Sequence, residues 1–275
     1  MAVAPYATPV ERAWHYTHRI FCAAVLLFLI SPILAIMPLS FNAEPYFSYP
    51  MPGLSLRWYE DFFTNDRWTL ALKNSMVVAT AVTILATSLG TVAALGLSRG
   101  RFWGRDVVMS LLISPMVVPL IISAVGMYFF YTRAGLSNSL PGLILAHTAL
   151  ATPFVVIVVT ATLSGFDHSL TRAGASLGAP PQTVFFKVIL PLILPGVISG
   201  ALFACVTSFD ESTVVLFLAG PEQRTLPKQM FSGIREMISP TITAAATLLI
   251  LFAVIMLTTI ELLRRRSERL RGIRH

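Results

Sequence analysis

Six stretches of this 275-residue chain are apolar over 20 or more positions with few interrupting charges. They run roughly Ile20–Ser40, Ala71–Leu97, Val107–Tyr131, Ser139–Leu163, Pro191–Leu218 and Pro240–Leu263. About 20 apolar residues in a helix cross the ~30 Å hydrocarbon layer of a bilayer. None of the stretches alternates with period two, so a transmembrane barrel is excluded. The pattern predicts an all-α, polytopic membrane protein with six transmembrane helices. Between the runs, two connections exceed simple turns. Within Phe41–Leu70, Leu56–Phe63 reads as a short amphipathic interfacial helix with aromatic anchors. The segment 164–190 is rich in small residues, and predicts two short helices, Ser169–Leu177 and Pro181–Val188, the second opened by a proline suited to a first turn.

Composition agrees. Hydrophobic residues make up 55% and charged residues 12%, with a mean hydropathy of +0.74, whereas soluble domains carry about 25% charged residues. The net charge is +7, and 17 of the 20 basic residues are Arg. They gather at the ends of apolar runs instead of forming a stripe interleaved with aromatics, which argues against nucleic acid. With both termini inside, thirteen basic residues lie in inner segments and seven in outer ones, so the positive-inside rule selects an N-in, C-in topology. The chain then divides into a cytoplasmic N-terminus (1–19), a first helix with its periplasmic loop (20–70), the main membrane domain (71–263, with the cytoplasmic loop 164–190) and a basic tail (264–275). The tail serves as a stop-transfer anchor against anionic lipid headgroups. A cleaved signal peptide fits poorly, because the first run exceeds a signal's ~7–15 apolar residues.

Candidate chemistry is sparse. Cys22 and Cys205 sit inside apolar runs and read as buried hydrophobes, not a disulfide. No pair of histidines has metal-ligand spacing, so no metal is expected, and His147 reads as a bundle-facing hydrogen-bonding residue. Gly96-x-Ser98-x-Gly100 matches a nucleophile elbow, but no strand precedes it. No Gly-rich loop ends in Gly-Lys, so any ATP must be held by another subunit. The chain is therefore not expected to be an enzyme. Gly196, Gly200 and Ala204 form a small-xxx-small row, which allows close helix packing either within the subunit or against a second one. Asp210 and Glu211 interrupt the fifth run. Carboxylates at membrane depth are costly and face water or a partner. Neighbours on a helix diverge by about 100°, so one acid is expected to line a polar path and the other to bond within the bundle. The apolar run Ser212–Ala219 places both well inside the membrane.

In the inner loop, Arg172-Ala173-Gly174, three residues, Gly178, nine residues, then Val188-x-Leu190-Pro191 resembles the Glu-Ala-Ala loop motif of inner-membrane permeases of binding-protein-dependent ABC importers. Ser40-Phe41-Asn42, Leu56-Arg57-Trp58-Tyr59, Asn74-Ser75, Ser208-Phe209-Asp210-Glu211 and Thr225-Leu226-Pro227-x-Gln229 resemble the spermidine/putrescine branch, especially the second of its two permeases. The resemblance implies a type I ABC importer permease fold in the bacterial inner membrane, with 71–263 as the type-1 transmembrane domain. It also implies a second permease, two ATP-binding subunits carrying ATP and Mg, and a periplasmic solute-binding protein. Loop 164–190 would couple to an ATPase, and Arg172 stands where the family has Glu. A self-sufficient secondary transporter would show matched inverted halves. Residues 1–138 and 139–275 show no such symmetry.

Overall fold

A computed structural model describes residues 8–99, 102–167, 169–236 and 238–270. Residues 1–7 of the N-terminal segment, Gly100 of the Gly-x-Ser-x-Gly string, Arg101, and Arg271 and Arg274 of the tail lie outside the described residues. The described chain is helical, apart from loops and a lone antiparallel bridge between Asn42 and Leu54. Among the described residues, five helices are long and apolar enough to cross a membrane, or six if one bent pair counts as a single span.

α1 (Pro9–Leu39) starts at a capping box: Thr8 Oγ1 accepts from Glu11 N, and Thr8 N donates to the Glu11 carboxylate. None of its residues is buried, so its apolar surface is left for lipid or another subunit. Cys22, expected to be buried, is therefore exposed. α2 (Arg57–Thr64) matches the amphipathic segment; its Phe62 is buried, and Thr241 Oγ1 donates to Asp61 Oδ2 at 2.7 Å, tying α2 to the start of the last helix. α3 (Asp66–Arg99) begins several residues before the apolar run does. At its other end the Leu97 carbonyl accepts a 2.7 Å bond from Arg105 Nε, one of the terminal carbonyls a helix cannot satisfy itself.

The third apolar run is not one straight helix. α4 (Arg105–Val117) and α5 (Leu120–Arg133) meet at 103°. Pro119 is the physical reason. A proline disfavours helical dihedrals at the residue before it, and Val118 is extended (φ −70°, ψ 132°). Hydropathy cannot register this break, because Val118 and Pro119 leave the apolar run uninterrupted.

α6 (Leu140–Ser164) is the centre of the molecule, with 12 of its 25 residues buried. From its end the chain passes through α7 (Ser169–Ser176), α8 (Pro181–Val184), a π-helical turn (Phe185–Ile189) and α9 (Leu190–Asp210). These last three join into one helix of 30 residues, Pro181–Asp210. The expected separate helix Pro181–Val188 is therefore the foot of the fifth span. The widened turn has a local cause: Pro191 cannot donate to the Lys187 carbonyl and its ring would clash there. The chain relieves this with an i→i−5 bond from Leu190 N to Phe185 O. α9 stops at Asp210, because Glu211 is extended (ψ 115°). α10 (Thr213–Leu218), a 3₁₀ turn (Pro221–Gln223), α11 (Leu226–Glu236) and α12 (Pro240–Leu270) complete the chain.

α3 and α9 flank α6, and small residues set their approach. A Cβ on Gly90 would meet Val155 Cβ at 2.7 Å, one on Gly200 would meet Val155 Cγ1 at 3.2 Å, and one on Gly196 would overlap Thr162. Gly196 and Gly200 thus face α6 inside this chain, and Ala204 is buried on the same helix. Overfilling such a contact costs about 1–3 kcal/mol. Gly196→Ala should lower the thermal midpoint of the detergent-solubilised protein, and Gly196→Leu should reduce the folded yield further. Unchanged midpoints for both would refute this packing.

Candidate functional site

Two regions gather the polar and motif residues, one at each end of the bundle. At the first, α7 is anchored by Asp167, whose two carboxylate oxygens accept from Ser169 N (2.8 Å) and Ser169 Oγ (2.7 Å). It ends in a complete Schellman cap: Ala179 N donates to Gly174 O at 3.1 Å and Gly178 N to Ala175 O at 3.0 Å. Gly178 is the left-handed residue of that cap, with φ +77°, a conformation glycine adopts without the Cβ penalty. Gly174 has a different role. Its missing side chain lets α7 rest on Val184, whose Cγ2 would lie 3.2 Å from an added Cβ. The motif's two glycines therefore bend the loop and close it against the foot of the fifth span. Arg172 and Ala173 are exposed, as are Leu170 and Leu177, so α7 turns an apolar and basic surface outward. Val188 lies in the π turn, and Leu190 and Pro191 open α9.

At the opposite end the two acids separate. Glu211 Oε1 accepts a 2.9 Å bond from Val214 N, which satisfies a free amide at the start of α10. Asp210 is exposed and makes no hydrogen bond or ion pair among the described residues. The depth expected for them changes as well. Ser212–Ala219 does not extend the fifth span; it forms α10, which turns away and packs on α5. A 30-residue helix is about 45 Å long, so even tilted by 40° it outruns the ~30 Å slab, and Pro181 and Asp210 cannot both sit deep in it.

α10 is held at both ends. Lys228 Nζ donates to the Ala219 carbonyl at 2.6 Å and to Val215 O at 3.3 Å, a cation at a helix C-terminus as its dipole favours. Partial burial, reinforced by the nearby Arg224 charge, lowers the Lys228 pKa below the usual lysine value. Asn138 N donates to Leu218 O at 2.9 Å. Below this, His147 of α6 is buried, with Nδ1 3.1 Å from Ser208 Oγ of α9, the bundle-facing bond expected of it. Among the described residues, no three His, Cys, Asp or Glu side chains converge to hold a metal, and Ser98 lies on helix α3 with its hydroxyl donating to Leu95 O.

Several of the residues that carried the sequence resemblance pair with one another in two separate groups. Asn74 Nδ2 donates to the carbonyls of Glu222 (2.8 Å) and Arg224 (3.0 Å), and Ser75 Oγ accepts from Leu226 N (2.7 Å). Together they pin the segment before α11 to α3. Ser40 Oγ and Tyr59 OH share a 2.7 Å bond, while Trp58 Nε1 donates to Asn42 O (2.7 Å) beneath the Arg57 guanidinium, 4.1 Å from the indole ring.

A family model described as "Binding-protein-dependent transport system inner membrane component" matches residues 86–270, two thirds of the chain. The chain belongs to that family. This permease is 32% identical over 253 residues to the spermidine/putrescine transport system permease protein PotC of Haemophilus influenzae, covering 92% of this chain and 98% of that one. It is 34% identical over 230 residues to the putrescine transport system permease protein PotI of Escherichia coli, covering 81% and 82%. Its fold matches the crystal structure of a bacterial ABC transporter that imports the acidic polysaccharide alginate, with a TM-score of 0.73 at 16% identity over 94% of this chain and 99% of that one. It is an inner-membrane protein whose family works with a second permease, an ATPase and a periplasmic binding protein. The motif spacing marked the loop and the break in the fifth apolar run marked the acids, but neither indicated the Lys228 clamp or the contacts made by Asn74 and Ser75. The pins depend on contacts between residues about 150 positions apart, and no local spacing encodes them.

Removing the Asn74 amide strands two carbonyls, at a cost of about 1–3 kcal/mol. In Asn74→Ala, tryptic cleavage after Arg224 should therefore accelerate about tenfold or more while cleavage elsewhere is unchanged. An unaltered rate at Arg224 would show that the pins do not hold this segment.

Proposed function

We propose that this permease forms half of the membrane pathway of an ATP-binding-cassette importer for a polyamine of the spermidine/putrescine class. The observation that carries the reading is the 32% identity over 92% of the chain to a spermidine/putrescine permease. The chemistry of Asp210 agrees, since an exposed carboxylate with no partner among the described residues suits an organic cation. The pathway is shared with a second permease. The cleft between α2, α3, α9, α11 and α12 is lined by Phe62, Leu72, Phe209, Leu226, Leu248, Phe252 and other apolar side chains, and offers a polyamine no counter-charge. Two ATP-binding subunits hold ATP and Mg, consistent with the lack of a phosphate-binding loop here, and a periplasmic binding protein delivers the solute.

The loop 164–190 is the contact to one ATPase. Its exposed Leu170, Arg172, Ala173 and Leu177 form the docking face, and the Gly178 cap sets the angle at which α7 presents it. ATP binding shifts the complex between inward- and outward-open packings through its differential affinity for the two. Arg172 places a positive charge on the docking face, so its partner groove is expected to offer an acid. The experiment that tests the function is purification of the whole complex, followed by measurement of which solute-loaded binding protein stimulates its ATPase. Spermidine or putrescine should do so, and stimulation by an unrelated anion alone would overturn the substrate class.

Forcing a Cβ into the left-handed position costs about 1–2 kcal/mol. Gly178→Val should therefore leave membrane insertion intact yet uncouple ATP hydrolysis from uptake, and wild-type uptake by that variant would refute the coupling role. For Asp210→Asn, loss of a charge-assisted contact worth about 1.5–3 kcal/mol lowers uptake efficiency for spermidine roughly 10- to 150-fold. The amount of assembled complex should not change. Equal losses of assembly, ATPase and uptake would instead make Asp210 a packing residue.

A further inference from the structure

The face of α9 that meets α6 is a single row. Gly196 lies against Thr162, Gly200 against Val155, and Ser208 against His147, with the buried Ala204 between the last two. Residues four apart share a helix face, so the row continues from the tight glycine contacts to the end of α9. The nature of the contact changes along it. At Gly196 and Gly200 backbone meets side chain, and steric fit fixes both distance and rotation. At the last turn the glycines are gone. Phe209 packs there on Phe252 of α12, ring centroids 4.5 Å apart, a contact that tolerates small rotations. The His147–Ser208 bond is the one hydrogen bond between side chains of α6 and α9 among the described residues. It is directional, and it sits two residues before Asp210.

His147 is an expensive choice if its role is only to fill space. It is 1% exposed, and its Nε2 has no hydrogen-bond partner among the described residues. An apolar side chain of similar volume would pack there without stranding a nitrogen. Buried polar pairs in membranes contribute modest adhesion, yet a hydrogen bond selects one relative orientation, and a single polar contact can specify register where apolar contacts do not.

We infer that His147 is a positioning residue for solute transport: by bonding Ser208 it fixes the rotation of the last turn of α9 and so aims Asp210. At about 100° per residue, Asp210 points some 200° from Ser208, on the side of α9 turned away from α6. This matches the exposure of Asp210 beside a buried Ser208 and Phe209. The inference rests on Asp210 being a pathway carboxylate, and it adds the residue that sets its direction. His147 itself touches no solute; it acts through Ser208.

The test uses the assembled complex in membranes and reads orientation separately from transport. Asp210→Cys is introduced after Cys22 and Cys205 are replaced by alanine, and its labelling rate with a membrane-impermeant maleimide is measured with His147, His147→Leu, His147→Asn or Ser208→Ala alongside. His147→Leu and Ser208→Ala should each change the labelling rate at least threefold, with no further change when combined. His147→Asn, whose amide can reach Ser208 as Nδ1 does, should return it toward the original rate. In the chain that keeps Asp210, the same two variants should raise the KM for spermidine about tenfold while the maximal rate falls less. Unchanged labelling in an assembled His147→Leu complex overturns the inference. Should that variant not assemble, Ser208→Ala removes the same bond with a far smaller change in shape, and unchanged labelling there overturns it equally. If Asp210→Asn leaves spermidine uptake intact, the pathway reading fails, whereas the labelling result still reports whether His147 sets the helix rotation.

Discussion

The close approach of α9 to α6 is the constraint on which the rest of the structure depends. Inside a bilayer, apolar side chains gain nothing from leaving water, so helices are held by intimate packing and by a few polar contacts. Gly196 and Gly200 remove the side chains that would keep α9 away from Thr162 and Val155, and Gly90 does the same for α3 against Val155. One residue, Val155, is thus gripped from both sides. With α6 so enclosed, the elements at either end have a fixed frame. α7 closes on Val184 at the foot of the fifth span at one end, and α10 and α11 are pinned to α5 and α3 at the other.

Interruptions of helices do as much here as helices. Pro119 breaks the third apolar run, Pro191 widens the foot of the fifth, and Glu211 ends it. In lipid every broken backbone bond needs a substitute, and the breaks at Pro191 and Glu211 have theirs nearby. Leu190 N finds Phe185 O, Glu211 receives Val214 N, and Lys228 covers the carbonyls at the end of α10. The two acids at 210 and 211 consequently differ in kind. Glu211 is committed to the backbone of α10, and Asp210 is left without a partner among the described residues.

The loop 164–190 follows the same economy of small residues. Gly174 and Gly178 stand four apart in the motif, yet one is needed for a contact and the other for a dihedral angle. This explains how the loop keeps its shape although Arg172 and Gly174 depart from the family's Glu and Ala. The charge at 172 is exposed and makes no hydrogen bond or ion pair among the described residues.

The amino-acid sequence by itself determined a helical membrane protein, through the length and composition of its apolar runs, because hydrophobic thickness sets span length. The spacing Gly174, Gly178, Leu190-Pro191 marked the loop, because caps and helix starts are local events. The aromatic pattern of α2 was equally legible along the chain. Only the tertiary structure decided that the third run bends by 103°, that Ser212–Ala219 is a separate helix, and that Pro181 already belongs to the fifth. A hydropathy profile sums transfer energies along the chain and does not register the direction of the backbone. It was also tertiary structure that joined Asn74 to Arg224 and His147 to Ser208. Those pairs lie 150 and 61 positions apart, and a hydrogen bond between them exists only once packing has brought two helices into register.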